Sequence, residues 1–178
     1  TYCIVPYVRG RERSRDPGHI VEEITRLVDE GTREITLLGQ NVNSYQWEKY
    51  DFLGLMKAVH DIKGLDRIRF TTSHPKDMTP EILRSLMAMP KVCNHYHLPL
   101  QSGSDAILKA MNRKYTSSHY RSLVETVRES DPLASITTDI IVGFSGETDE
   151  DYLKTREMAR FAEYDSAFIF KYNPRPGT

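Results

Sequence analysis

The stretch ITTDIIVGFSGETDED (residues 136–151) decides the fold class: an apolar, β-branched run, then a glycine-bearing loop, then a helix start. Ile136 to Val142 reads as a strand. Thr148, followed by Asp149, Glu150 and Asp151, supplies a cap and acids at the positive end of a helix macrodipole. The same unit recurs on both sides. Upstream, Asp16 and Pro17 open a helix with Ile20, Ile24, Leu27 and Val28 on one face, closed by Gly31. Glu34 to Leu38 is then a short strand of buried character. A helix from Phe52 to Ile62 precedes a strand at Arg67 to Thr71. Thr79, Pro80 and Glu81 open the next helix, before a strand at His95 to Leu98. Helices at Ser104 to Met111 and Ser117 to Glu129 lead into residue 136, and a last strand covers Ser166 to Tyr172. Five strands separated by helices are the pattern of parallel βα units with right-handed crossovers. The expected fold is α/β, a partial (βα) TIM-like barrel of one domain with about five parallel strands, and with its first strand upstream of residue 1.

Composition is consistent with this. At 178 residues, 39% apolar and 28% charged, the chain has the make-up of one globular domain with one core. No run of about 18 apolar residues is present to cross a bilayer, so no membrane partner and a cytoplasmic location are expected. Cys3 and Cys93 are too few for a disulfide framework. Net charge is −1, giving no general affinity for nucleic acid, yet Arg9, Arg11, Arg13 and Arg15 alternate. Extended, that run is either a phosphate-tracking strip or a solvated loop with acidic partners.

In parallel βα folds the chemistry sits on the loops after the strand C-termini. Here those loops carry Gly39, Gln40 and Asn41; Ser73 and His74; Gln101, Ser102 and Gly103; Gly143 and Phe144; and Asn173 with Arg175. Glycines let a ligand approach backbone, and amides both donate and accept, which suits a zwitterionic, nucleoside-bearing ligand. The alternative is that the glycines only turn the chain and the serines only cap helices. Cys93, His95 and His97 alternate on one strand, at a spacing that can grip zinc or belong to hydrogen-bonded histidines of a buried strand. No nucleophile elbow, phosphate-loop lysine motif or HExxH helix is present.

Taken together, TYCIVPYVRGRERSR (1–15), LLGQNVNSY (37–45), TTSHPKDMT (71–79), HLPLQSGSDAILKAMNRKYT (97–116), TTDIIVGFSGETDEDY (137–152) and YNPRPGT (172–178) resemble the radical S-adenosylmethionine (SAM) methylthiotransferases, in order and over nearly the whole chain. The LLGQNVN block and the SHP turn look like the MiaB branch, which acts on isopentenylated adenosine beside the tRNA anticodon. The resemblance implies a 4Fe-4S cluster on three thiolates of a CxxxCxxC motif, with Cys3 as the third and the other two upstream. That cluster chelates SAM and yields a 5'-deoxyadenosyl radical for methylthio insertion at C2 of the adenosine. It further implies a second 4Fe-4S cluster in an N-terminal domain, a C-terminal RNA-binding domain, a tRNA substrate and an electron donor.

On that basis Cys3 is the expected catalytic and cluster ligand. Gly39, Gln40 and Asn41 are expected near the SAM methionine, Gln101 and Ser102 at the ribose, and Ile141, Gly143, Phe144 and Tyr172 around the adenine. Arg113 and Arg175 suit a SAM carboxylate, an RNA phosphate or a structural ion pair. Residues 1–178 are expected to be the radical SAM core, truncated at its N-terminus and inactive alone with one of three thiolates. The competing readings are a catalytically silent nucleoside- or RNA-binding barrel, a methylthiotransferase acting on threonylcarbamoyladenosine tRNA or a ribosomal protein, and a zinc barrel built on Cys93, His95 and His97.

Overall fold

The computed structural model describes residues 7–8, 10 and 12–174. Helices start where the sequence provides caps. The Asp16 carboxylate accepts from the Gly18 amide at 2.7 Å and opens α1 (Pro17–Asp29). Strand β1 (Glu34–Leu37) follows, then a 3-10 turn at Val42–Ser44 and a small hairpin, β2 (Gln46–Trp47) with β3 (Tyr50–Asp51). Asp51 accepts from the Gly54 amide and caps α2 (Phe52–His60). Next come β4 (Arg67–Phe70), a 3-10 turn at Pro75–Asp77, and α3 (Pro80–Met87) capped by Thr79. Strand β5 (His95–His97) leads to α4 (Asp105–Ala110) and α5 (Ser117–Ser130), and β6 (Ser135–Val142) to α6 (Asp149–Ala162) and β7 (Ser166–Lys171).

Every expected strand is present; β1, β4, β5 and β7 each end one residue earlier than expected, and β6 begins one residue earlier, at Ser135. The five long-range strands are parallel and neighbours in chain order. β1 pairs with β4, and β6 lies between β5 and β7. A parallel bridge between Ile68 and Val92 joins the two groups, with Ile68 N donating to Lys91 O at 2.7 Å. The β2–β3 hairpin was not expected. Its strands are two residues each and its turn holds Glu48 at φ 47° instead of glycine, so it carries no Asn-Gly or Asp-Gly signal.

Strand alternation sets the two faces of the sheet. Ile68, Phe70, Tyr96, Ile136, Thr138 and Ile140 are buried toward the helices, where they meet Leu55, Leu83, Leu86, Leu123 and Val127. Each such fully buried Leu or Ile stabilises by about 1.5–3 kcal/mol. The intervening residues face the other way and are polar. Glu34 accepts from both Arg67 and Arg69, which hold its carboxyl below the usual range, Arg67 contributing most. His95 Nε2 and His97 Nδ1 both lie on Thr137 Oγ1, at 3.1 and 3.0 Å, and His97 Nε2 is 3.4 Å from Asp139. The histidines thus belong to a hydrogen-bonded strand, and among the described residues no three His, Cys, Asp or Glu side chains form a metal site. The zinc reading therefore finds no ligand set among them.

Candidate functional site

The loops after the strand C-termini share an unusual backbone. Thr72 after β4, Gln101 after β5 and Gly143 after β6 all have positive φ, at 59°, 64° and 73°. A β-branched residue in this region is strained, and such residues persist where surrounding bonds over-determine them. Thr72 is held by its hydroxyl, which donates to Gly39 O at 2.6 Å, while its own carbonyl accepts from Val42 N. Gln101 is held on both sides by β6: its N–H donates to Asp139 O at 2.8 Å and its carbonyl accepts from Ile141 N at 2.9 Å.

The residues expected to meet a nucleoside ligand fall into three groups. Gly39 and Gln40 are exposed, whereas Asn41 donates to the Glu12 carboxylate. All three line a cleft of about 930 Å³ beside β1 and α1, together with Glu12 to Arg15. Gln101 is buried with 6% exposure. Ile141, Phe144 and Tyr172 pack with Ile107 and Met111, the Phe144 and Tyr172 rings 4.7 Å apart, and Gly143 is exposed beside them. The structure therefore brings together the 141–144 and 172 residues as one apolar wall, and leaves the Gly39 group on a separate part of the rim.

Ser102 has a different use. Its side chain is fully buried, 3.2 Å from Thr155 Oγ1, and Gly103 N donates to the same hydroxyl at 2.9 Å. Ser104 donates to Asp151 Oδ1 at 2.6 Å, while Asp151 Oδ2 accepts from the Thr148 hydroxyl and amide. These bonds, Ser104 first, lower the Asp151 carboxyl to about 2. One carboxylate thus ties the loop after β5 to the loop after β6. Only glycine fits at 103, since an added Cβ would lie 2.5 Å from Lys154 O and 2.7 Å from Thr155 Cα.

Sequence reasoning missed Asn43. This buried amide makes two bonds with one backbone unit, donating to His74 O at 2.8 Å and accepting from His74 N at 2.7 Å. The loop after β1 thereby fixes the loop after β4. His74, in turn, receives Arg113 Nη1 at 2.8 Å on Nε2. Burial, and then the Arg113 charge, push the imidazole down to about 4. Arg113 has thus a rim partner, while Cys3, Arg9, Arg11 and Arg175 lie outside the described residues. Arg15 of the arginine run pairs with Glu23 at 2.6 Å, as a solvated loop would.

The open parallel array resembles coproporphyrinogen III oxidase from Escherichia coli, a radical SAM enzyme, with a TM-score of 0.64 over 90% of this chain and 38% of that one; at 14% identity the likeness is one of fold, a partial barrel. In sequence the chain is 54% identical to the tRNA-2-methylthio-N(6)-dimethylallyladenosine synthase of Desulforamulus reducens and 55% identical to that of Clostridium tetani, in each case over its whole length. It spans about 40% of the length of these curated relatives. The family model for the radical SAM superfamily matches residues 1–159. With strand order, rim and sequence in agreement, the chain belongs to the radical SAM superfamily.

Proposed function

We propose that residues 1–178 are the radical SAM core of a tRNA methylthiotransferase, which inserts a methylthio group at C2 of N6-isopentenyladenosine next to the anticodon. The observation that carries this reading is the 54–55% identity, over the full chain, to synthases of that name. Relatives named for a tRNA modification support tRNA as the substrate of a cytoplasmic enzyme, and radical SAM chemistry calls for an electron donor as partner; among the described residues no helix is long and apolar enough to cross a membrane.

The rim fits SAM on its own chemistry. Gly39 and Gly143 expose backbone where a ligand must come close, and the wall of Ile141, Phe144 and Tyr172, its two rings inclined at 57°, offers an apolar surface for adenine. Gln101 is locked to β6 through its backbone, so its amide is presented by the strand instead of a loose loop. The described residues hold no thiolate set, so a 4Fe-4S cluster rests on Cys3 and thiols outside them. Bound there, cluster and SAM would supply the 5'-deoxyadenosyl radical that activates the adenosine C2.

The remaining work belongs to this chain's residues. Gly39 and Gln40 bind the amino-acid end of the ligand, and Arg113 meets its carboxylate from the loop after α4. The Phe144 and Tyr172 rings exclude water from one side of the nucleoside. The Asn43, Ser102 and Asp151 bonds keep the loops at fixed separations, which is how a site of several loops retains reactive geometry.

The test is anaerobic reconstitution of the enzyme with iron and sulfide, then reductant, SAM and isopentenylated tRNA. Methylthiolated tRNA with 5'-deoxyadenosine is the expected product pair. Release of 5'-deoxyadenosine without methylthiolated tRNA would sink the proposed reaction.

A further inference from the structure

We propose that Phe168 and Asp139, paired across β7 and β6, form the subsite for the N6 substituent of the substrate adenosine and make the enzyme selective for an apolar, uncharged one. This deepens the reading of residues 1–178 as the core of a tRNA methylthiotransferase and rests on it.

Strand register sets the geometry. β6 and β7 are parallel, with Asp139 beside Phe168 and Ile141 beside Phe170. Paired residues of neighbouring strands send their side chains to the same face of a sheet. On β6 that face is the polar one, opposite the Ile136, Thr138 and Ile140 that meet the helices. Phe168 and Phe170 therefore stand on the face that carries Thr137, His95 and His97, and they are 62% and 54% exposed. Two exposed rings on one face of a strand mark a surface for an apolar ligand group. Tyr172, one residue past β7 and bonded through its N–H to Val142 O, keeps the same parity and belongs to the wall expected for the SAM adenine. One face thus runs from that wall down to Phe168, about 13 Å along the strand.

The two positions match the chemistry of one nitrogen. N6 of isopentenyladenosine carries a single hydrogen and a five-carbon apolar chain. Asp139 and Phe168 offer an acceptor and an apolar ring side by side, on strands about 4.8 Å apart. His97 Nε2 approaches Asp139 Oδ2 at 3.4 Å and orients a carboxylate whose side chain is 30% exposed, with two oxygens able to accept. The N6–H donates to Asp139 while the chain packs on Phe168. C2 and C6 flank N1 of the purine, so the C2–H and the N6 substituent diverge. With N6 at Asp139, the reacting carbon is left facing the rim.

Selectivity follows from the same pair. A threonylcarbamoyl group on N6 brings a carboxylate of its own, which meets like charge at Asp139 and loses water against the Phe168 ring. Arg67 and Arg69 of this face do not relieve it, since they lie on β4 and both donate to Glu34.

The test uses the full-length, cluster-loaded enzyme and anticodon stem-loop RNAs bearing adenosine, N6-isopentenyladenosine or N6-threonylcarbamoyladenosine at the target position. Wild type is expected to bind the isopentenylated RNA about tenfold or more tightly than the unmodified one. Phe168→Ala should remove most of that difference and Phe168→Leu restore part of it, with the Kd for SAM and the urea midpoint unchanged in both. Asp139→Asn should reduce the discrimination against threonylcarbamoylated RNA by about tenfold. The subsite is overturned by a Phe168→Ala variant that loses affinity equally for isopentenylated and unmodified RNA, or by a lowered urea midpoint, which would show the ring packed under another part of the enzyme. Unchanged discrimination in Asp139→Asn overturns it as well. Failure of the wild-type enzyme to methylthiolate isopentenylated RNA overturns the proposed reaction itself, whereas wild-type turnover with an unaffected Phe168→Ala variant overturns this inference alone.

Discussion

Gly103→Ala is expected to destabilise the protein by about 3 kcal/mol, and the structure indicates how. The added Cβ would lie 2.5 Å from Lys154 O, 2.7 Å from Lys154 C and 2.7 Å from Thr155 Cα, all backbone atoms of α6. Nothing there is the flexible end of a side chain. Either α6 withdraws or the loop after β5 lifts, and such overpacking costs about 1–3 kcal/mol. Lifting the loop also stretches the buried bond from Gly103 N to Thr155 Oγ1, worth about 1 kcal/mol, and weakens the Ser104 contact to Asp151. For a chain of this size, 3 kcal/mol lowers Tm by about 6–12 °C. Urea unfolding followed by circular dichroism measures it, with Ser145→Ala on an exposed rim position as the control. A Gly103→Ala variant within about 0.5 kcal/mol of wild type would refute the steric reasoning.

Other outcomes follow from the same contacts. Because the His74 ring is held near 4, below its unfolded value, the unfolded chain binds the proton first as pH falls; stability contributed by the neutral ring is full above about pH 6.5 and is lost toward pH 4. Discounted for the ring's partial exposure, the loss is about 1–2 kcal/mol. His74→Gln should flatten that part of a stability–pH curve, and parallel curves for the two proteins would contradict it. Asn43→Ala removes two bonds to the His74 backbone and should cost about 2–3 kcal/mol in urea unfolding. Glu163, which ends α6 at φ 48°, is a site where glycine fits the left-handed backbone better; Glu163→Gly should gain about 0.5–1 kcal/mol, and a loss in the same assay would count against the cap reading.

The strands and helices were legible in the sequence because each βα unit carries local signals: Asp16 with Pro17, Thr79 with Pro80, and Thr148 with three acids all cap helices where expected. Strand parity also held the polar face, since Arg67 and Arg69, His95 and His97, and Thr137 and Asp139 each repeat at a spacing of two. The site was legible as a set of loops and less so residue by residue. Ser102 has the sequence context of a ligand contact, but its burial depends on Thr155, 53 positions on. Asn43 depends on His74, 31 positions on, and the requirement for glycine at 103 on a carbonyl of α6. Such pairings are tertiary and leave no mark in local pattern. The β2–β3 hairpin was hidden for the opposite reason, being too short to show a period.

The carboxylate of Asp151 accepts from Ser104 on one oxygen and from Thr148 on the other. Energetically the two loops are then one unit, and substitutions in them cannot be treated as independent. In a double-mutant cycle, Ser104→Ala and Thr148→Ala should show a coupling free energy although the two residues sit 44 positions apart and share only this acceptor. Redesign of the loop after β5 for a new ligand would therefore disturb the loop after β6 unless Asp151 keeps both donors.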